Sequence, residues 1–128
     1  MDGAPQRKPR HYFDVEPGPS HVTFDDGRTQ RRNLPWMHYV EAVWDYDEPA
    51  LIRLEFGEWL VVVRGHNLAP LFQAIEEQVL VRVRARPDLA EDSDHETDSF
   101  VESIRFLRPR ARKTPRAGGD QFEVPLGK

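Results

Sequence analysis

The chain of 128 residues contains no cysteine. That absence removes disulfides, thiolate zinc ligands and cysteine nucleophiles together, and it fits a reducing compartment. Long hydrophobic runs are missing too: no stretch approaches the ~20 apolar residues that span a bilayer. The first twenty residues, MDGAPQRKPRHYFDVEPGPS, carry basic residues with no hydrophobic segment behind them, so a secretory signal is not expected. The expectation is a cytoplasmic protein without a membrane partner. Between Val22 and Arg86 there is no serine, cysteine or lysine, and the hydroxyls are those of Thr23, Thr29, Tyr39 and Tyr46. Serine or cysteine nucleophiles and Schiff-base lysines therefore have no candidates in that span. Carboxylates remain (Glu41, Asp45, Asp47, Glu48 and Glu55), and such residues mostly lie solvated. The five histidines, His11, His21, His38, His66 and His95, are scattered. His38 with Glu41 is a ligand pair only in a helix, and no second pair completes a set. No metal, no cofactor and no enzymatic activity are expected.

Proline and charge, by contrast, are plentiful. Apolar residues make up 38% of the chain and charged residues 31%, and there are 11 prolines. The prolines crowd the two ends (Pro5, Pro9, Pro17, Pro19; Pro109, Pro115, Pro125), so only part of the chain is expected to join a core. The net charge of −4 is distributed in blocks. Gln6 to Arg10 is basic, Pro87 to Ser99 carries six acidic residues and no basic one, and "RPRARKTPRAGG" from Arg108 carries five basic residues and no acidic one. Blocks of like charge usually stay solvated. The expected organisation is a disordered N-terminal tail (1–20), one domain (21–107) with an acidic loop (87–99), and a disordered basic C-terminal tail (108–128).

Within the domain, periodicity marks the elements. Val22 to Asp25, the turn Asp26-Gly27 and a return strand from Arg28 to about Leu34 read as a two-residue type I′ hairpin, closed by Pro35. Trp36 to Tyr46 fits both periods; its aromatic and β-branched content favours a strand. Ile52, Leu54 and Phe56 share one face of a strand from Leu51. Gly57-Glu58 supplies a type II′ turn into Trp59 to Arg64, which is apolar on both faces and so reads as a central strand. Gly65 ends it, and Asn67 is expected to cap a helix over 67–78 with Pro70 in its first turn. Leu68, Leu71, Phe72 and Ile75 form that helix's apolar stripe, with Gln73, Glu76 and Glu77 toward water. Val79 to Arg86 alternates, with Val79, Val81, Val83 and Ala85 on one face and Arg82, Arg84 and Arg86 on the other. Phe100 to Leu107 makes the last strand. The fold class is α+β: a mainly antiparallel sheet of about six or seven short strands with one packed helix.

Local motifs resemble those of three groups of proteins. Arg28 and Arg32 carry the R-x-x-x-R spacing and so resemble the cyclic-dinucleotide motif of PilZ domains, although the accompanying D/N-x-S-x-x-G element is absent. Residues 52 to 83, with Arg64-Gly65-His66-Asn67-Leu68 at their centre, resemble small uncharacterised bacterial proteins with a strand–turn–strand–RGxNL–helix–strand core. The G-x-N-L segment is also similar to YabP-type sporulation proteins, where the chain continues as strand rather than as the helix expected here. These resemblances imply no named function and no site residues.

Functionally the sequence leaves two readings. One is a non-catalytic protein-interaction module, for which the C-terminal "QFEVPLGK", with Phe122, Val124 and Leu126, is suited to adding to a partner's sheet edge. The other is nucleic-acid or nucleotide binding through an arginine face made of Arg82, Arg84, Arg86 and Arg105 with the basic tail, since guanidinium groups contact phosphates bidentately. The Arg64–Asn67 turn, whose helix amides could attract an anion between Arg64 and His66, reads instead as a structural cap, because Asn67 is expected to occupy those amides itself.

Overall fold

In a computed structural model the chain is described over residues 12–89 and 98–108. Eight strands and one α-helix follow one another as β1 (Phe13–Val15), β2 (His21–Asp25), β3 (Arg31–Pro35), β4 (Tyr39–Val43), β5 (Leu51–Phe56), β6 (Trp59–His66), α1 (Ala69–Glu76), β7 (Leu80–Arg84) and β8 (Phe100–Leu107). They build two four-stranded sheets rather than one. Sheet one has the order β1-β7-β2-β3 and sheet two the order β4-β5-β6-β8. All neighbours are antiparallel except β2 and β7, which run parallel. Where β7 ends, Ala85 bridges to Val101 of β8, and the Arg86 amide donates to the Val101 carbonyl at 2.7 Å, tying the sheets together. The described residues form an α+β fold in which α1 is the one named α-helix.

The clearest sequence patterns become the core of sheet two. Ile52, Leu54 and Phe56 are all buried, as their period of two requires, and Val61 and Val63 meet them from β6. Gly57 takes a φ of 57° while Glu58 keeps a negative one, which is the type II′ requirement. β6 lies between β5 and β8, the central position that its two-sided apolar character implies. The two sheets share one core: the Phe24 ring of β2 stands edge-on to Phe56 of β5, with centroids 5.8 Å apart. Trp36 completes the junction by packing on Phe56 and donating its indole N–H to the Leu80 carbonyl at 3.0 Å. Each large side chain buried in this way contributes about 1.5–3 kcal/mol.

Several boundaries differ from expectation, each for a local reason. Tyr12 is buried and Phe13–Val15 pairs with β7, so the domain begins inside the segment read as an N-terminal tail. The β2–β3 connection is not a two-residue turn but the five residues 26–30. The Asp26 carboxylate accepts the amides of Arg28, Thr29 and Gln30 and the Thr29 hydroxyl, all within 2.8–3.0 Å. Burial opposes ionisation there, but these donors outweigh it and hold the Asp26 carboxyl far below its usual range. The expected strand from Trp36 is divided: Trp36–His38 forms a 3-10 turn that carries the chain from sheet one to sheet two, and only Tyr39–Val43 is strand. His38 and Glu41 therefore do not share a helix face.

The helix is shorter than 67–78, and its apolar stripe is nonetheless present: Leu68, Leu71 and Ile75 are buried. Its C-terminus is closed by a Schellman motif. Gln78 adopts a φ of 53°, its amide donates to the Ile75 carbonyl, and the Val79 amide reaches the Ala74 carbonyl. β7 is irregular as well. The register against β1 steps from Asp14↔Arg82 to Val15↔Leu80, so Leu80, Val83 and Ala85 are the buried positions and Val81 leaves the expected face. The C-terminal segment with Phe122, Val124 and Leu126, the basic tail beyond Arg108 and residues 90–97 of the acidic loop lie outside the described residues.

Candidate functional site

The Arg64–Asn67 turn proves to be a packed corner. At Gly65 the backbone of β8 comes so near that an added Cβ would stand 2.9 Å from the Val101 Cα and closer still to the Phe100 carbonyl oxygen. Asn67 does not cap the helix: the N-cap is Leu68, without a side-chain hydrogen bond. Asn67 instead holds a φ of 53°, donates its amide to the Asp98 carbonyl at 2.6 Å, and accepts the Ser99 hydroxyl on its own carbonyl at 2.8 Å. Its side chain thus points across to the start of β8, a partner 31 residues away that no local pattern discloses. His66 stacks on Phe100 at 4.9 Å and sets its Nε2 3.6 Å from Glu102.

The candidate arginines are split between the sheets: Arg82 and Arg84 lie on β7 of sheet one with Arg86 just beyond it, whereas Arg105 stands opposite Val62 in sheet two. Arg84 is paired with Asp14 at 2.8 Å, and Arg86 grips Asp88 through both Nε and Nη2. The R-x-x-x-R pair is divided too. Arg28 lies in the Asp26 loop, while the Arg32 guanidinium crosses between the sheets to lie 3.9 Å from the centre of the Trp59 ring. Arg108, bound to Glu58, approaches the same indole at 4.7 Å.

A cleft of about 600 Å³ lies elsewhere, between α1 and the β4–β5 loop. Trp44, Tyr46, Pro49, Ala69 and Phe72 give it an aromatic and apolar surface, and Asp45, Gln73, Glu76 and Glu77 add the polar groups. Trp44 is fixed from both sides: its indole N–H donates to the Pro49 carbonyl at 3.0 Å, and its ring packs on Phe72 with centroids 5.2 Å apart. Tyr46, by contrast, is fully exposed. The loop is held in shape by the Glu48 amide on the Asp45 carbonyl and by Arg53, which lies 3.0 Å from Asp45 and 4.0 Å from Glu48. Negative charge is felt nearby: the Tyr39 phenol is pushed above its ordinary pKa, first by burial and then by the carboxylates of Glu41 and Glu76.

In the sequence these residues stand apart, Trp44 in the expected strand from Trp36, Phe72 in the helix stripe and Glu76 among the residues toward water. The density of "WDYDEP", two aromatics and three acids in six residues, was the available signal. Among the described residues no group of three or more His, Asp and Glu side chains could hold a metal ion, and no helix is long and apolar enough to cross a membrane. Comparison with known proteins finds no matching family model, no similar curated protein and no similar solved structure.

Proposed function

We propose that this domain is a non-catalytic protein-interaction module that receives its partner in the cleft between α1 and the β4–β5 loop. The observation that carries this reading is the aromatic surface of Trp44, Phe72 and Tyr46: pre-ordered at Trp44, open at Tyr46. Rigid aromatic side chains supply much contact area for little lost freedom and dominate protein interfaces. The pairing of Arg84 and Arg86 with carboxylates speaks against nucleic acid as the partner, because those carboxylates compete with phosphate.

An affinity capture from the native host, run with and without nuclease, tests the reading. Captured protein should survive nuclease treatment and be lost with Tyr46→Ala, an exposed position whose replacement leaves the fold intact. Capture that disappears with nuclease, or is indifferent to Tyr46→Ala, would overturn it.

A further inference from the structure

The last turn of α1 breaks a general rule of helix electrostatics. A helix C-terminus carries about half a negative charge on its unpaired carbonyls, so cations are favoured there and carboxylates are not. α1 ends on Glu76 and Glu77 with no basic residue in its last turn. Among the described residues neither carboxylate has a cationic partner; Glu77 accepts only the neutral amide of Gln73, at 3.1 Å. Arg53, the nearby cation, is already shared between Asp45 and Glu48. Among the described residues three carboxylates and no cation therefore line the cleft, beside aromatic faces that attract positive charge through their quadrupoles. Local rules are broken in this way chiefly at functional or strained sites.

Building on the interaction reading above, we propose that the cleft recognises a basic peptide segment of the partner, its arginine or lysine side chains lying on Trp44, Tyr46 and Phe72 with their charged ends toward Glu76 and Glu77. The long apolar stems of these residues suit the aromatic surface, and their heads offset the helix-end charge. Charge complementarity sets the occupant. An acidic segment would meet three carboxylates, and a neutral one would leave the helix end uncompensated.

The full chain is titrated with three octapeptides, alternating alanine with arginine, glutamine or glutamate, and binding is followed by calorimetry and tryptophan fluorescence. The arginine peptide should bind, with a Kd that rises steeply between low and high salt. Glu76→Gln/Glu77→Gln should raise that Kd at least fivefold while leaving the Tm of the free protein unchanged or higher, since it removes an unfavourable helix-end charge. Glu55→Gln/Glu58→Gln makes the same change of net charge on the β5–β6 hairpin, outside the cleft lining, and should leave the Kd within twofold. Equal weakening by both double variants would reduce the effect to net charge and overturn the proposal. Binding of the glutamine or glutamate peptide in preference, abolished by Tyr46→Ala, would overturn the basic partner while the interaction reading stands. Binding only after removal of residues 109–128 would assign the cleft to the chain's own basic tail and also overturn it.

Discussion

At the scale of single residues, Tyr12 shows how much one buried polar atom can report. Its hydroxyl is enclosed by the core and meets no hydrogen-bond partner of good geometry: the contact with Ser99 works to lower the phenol's pKa, but Ser99 gives its own proton to the Asn67 carbonyl. Burial pushes its pKa up to about 12. A group whose folded pKa lies above its unfolded one supports the fold below the unfolded value, and that support is lost as pH rises through the folded value. The stability of the native protein should accordingly fall between pH 10 and 12. Tyr12→Phe removes an unsatisfied hydroxyl from the core, so chemical denaturation should find it as stable as the native chain or up to ~1 kcal/mol more stable at pH 7. Its alkaline decline should be shallower. A loss of more than 1 kcal/mol at neutral pH would show that the hydroxyl has a partner after all. No sequence pattern marks Tyr12, because what buries it is a strand pairing with residues about seventy positions further on.

At the scale of elements, the readable parts were those whose rule is local. The alternation of Ile52, Leu54 and Phe56, the Gly57 turn and the stripe from Leu68 to Ile75 each depend on neighbours within a few positions, and each stands in the structure where periodicity put it. Asn67 illustrates the opposite case. Its type and place fit an N-cap, but the left-handed backbone needed to turn from β6 into α1 directs its amide to Asp98 instead. Gly65 likewise read as a strand-breaker, whereas it is the place where β6 continues and β8 passes within touching distance. Gly65→Ala should therefore destabilise the domain by ~3 kcal/mol or more in urea denaturation, through overpacking against backbone that cannot yield. A cost near the ~0.5 kcal/mol of an ordinary surface change would contradict that close approach.

At the scale of the whole molecule, the sequence indicated a sheet with a covering helix and could not indicate two sheets. Which strands pair is a matter of distant partners, β2 with β7 and β6 with β8, and the 3-10 turn at Trp36 carries the chain from one layer to the other where a continuous strand was predicted. The cleft was hidden for the same reason, since Trp44 and Phe72 meet only after β4 and α1 are placed. The sheets are joined by side chains as well as by backbone, through Arg32 of β3 lying over Trp59 and Phe106 of sheet two. Arg32→Ala should cost about 1–2 kcal/mol in a denaturation that remains a single transition. Separate transitions for the two sheets would contradict the shared core.

The parallel pairing of β2 with β7 sets the order in which this protein can assemble. Residues 39 to 66 form a meander whose strands meet their neighbours across short connections, so closing them requires little loop entropy. Sheet one waits on contacts between Thr23 and Arg82 and between Phe13 and Val83, and pairings at that separation form slowly. The meander that carries β4 and the loop of Trp44 can thus close before β2 meets β7, and α1, the other wall of the cleft, is the segment that links the two steps.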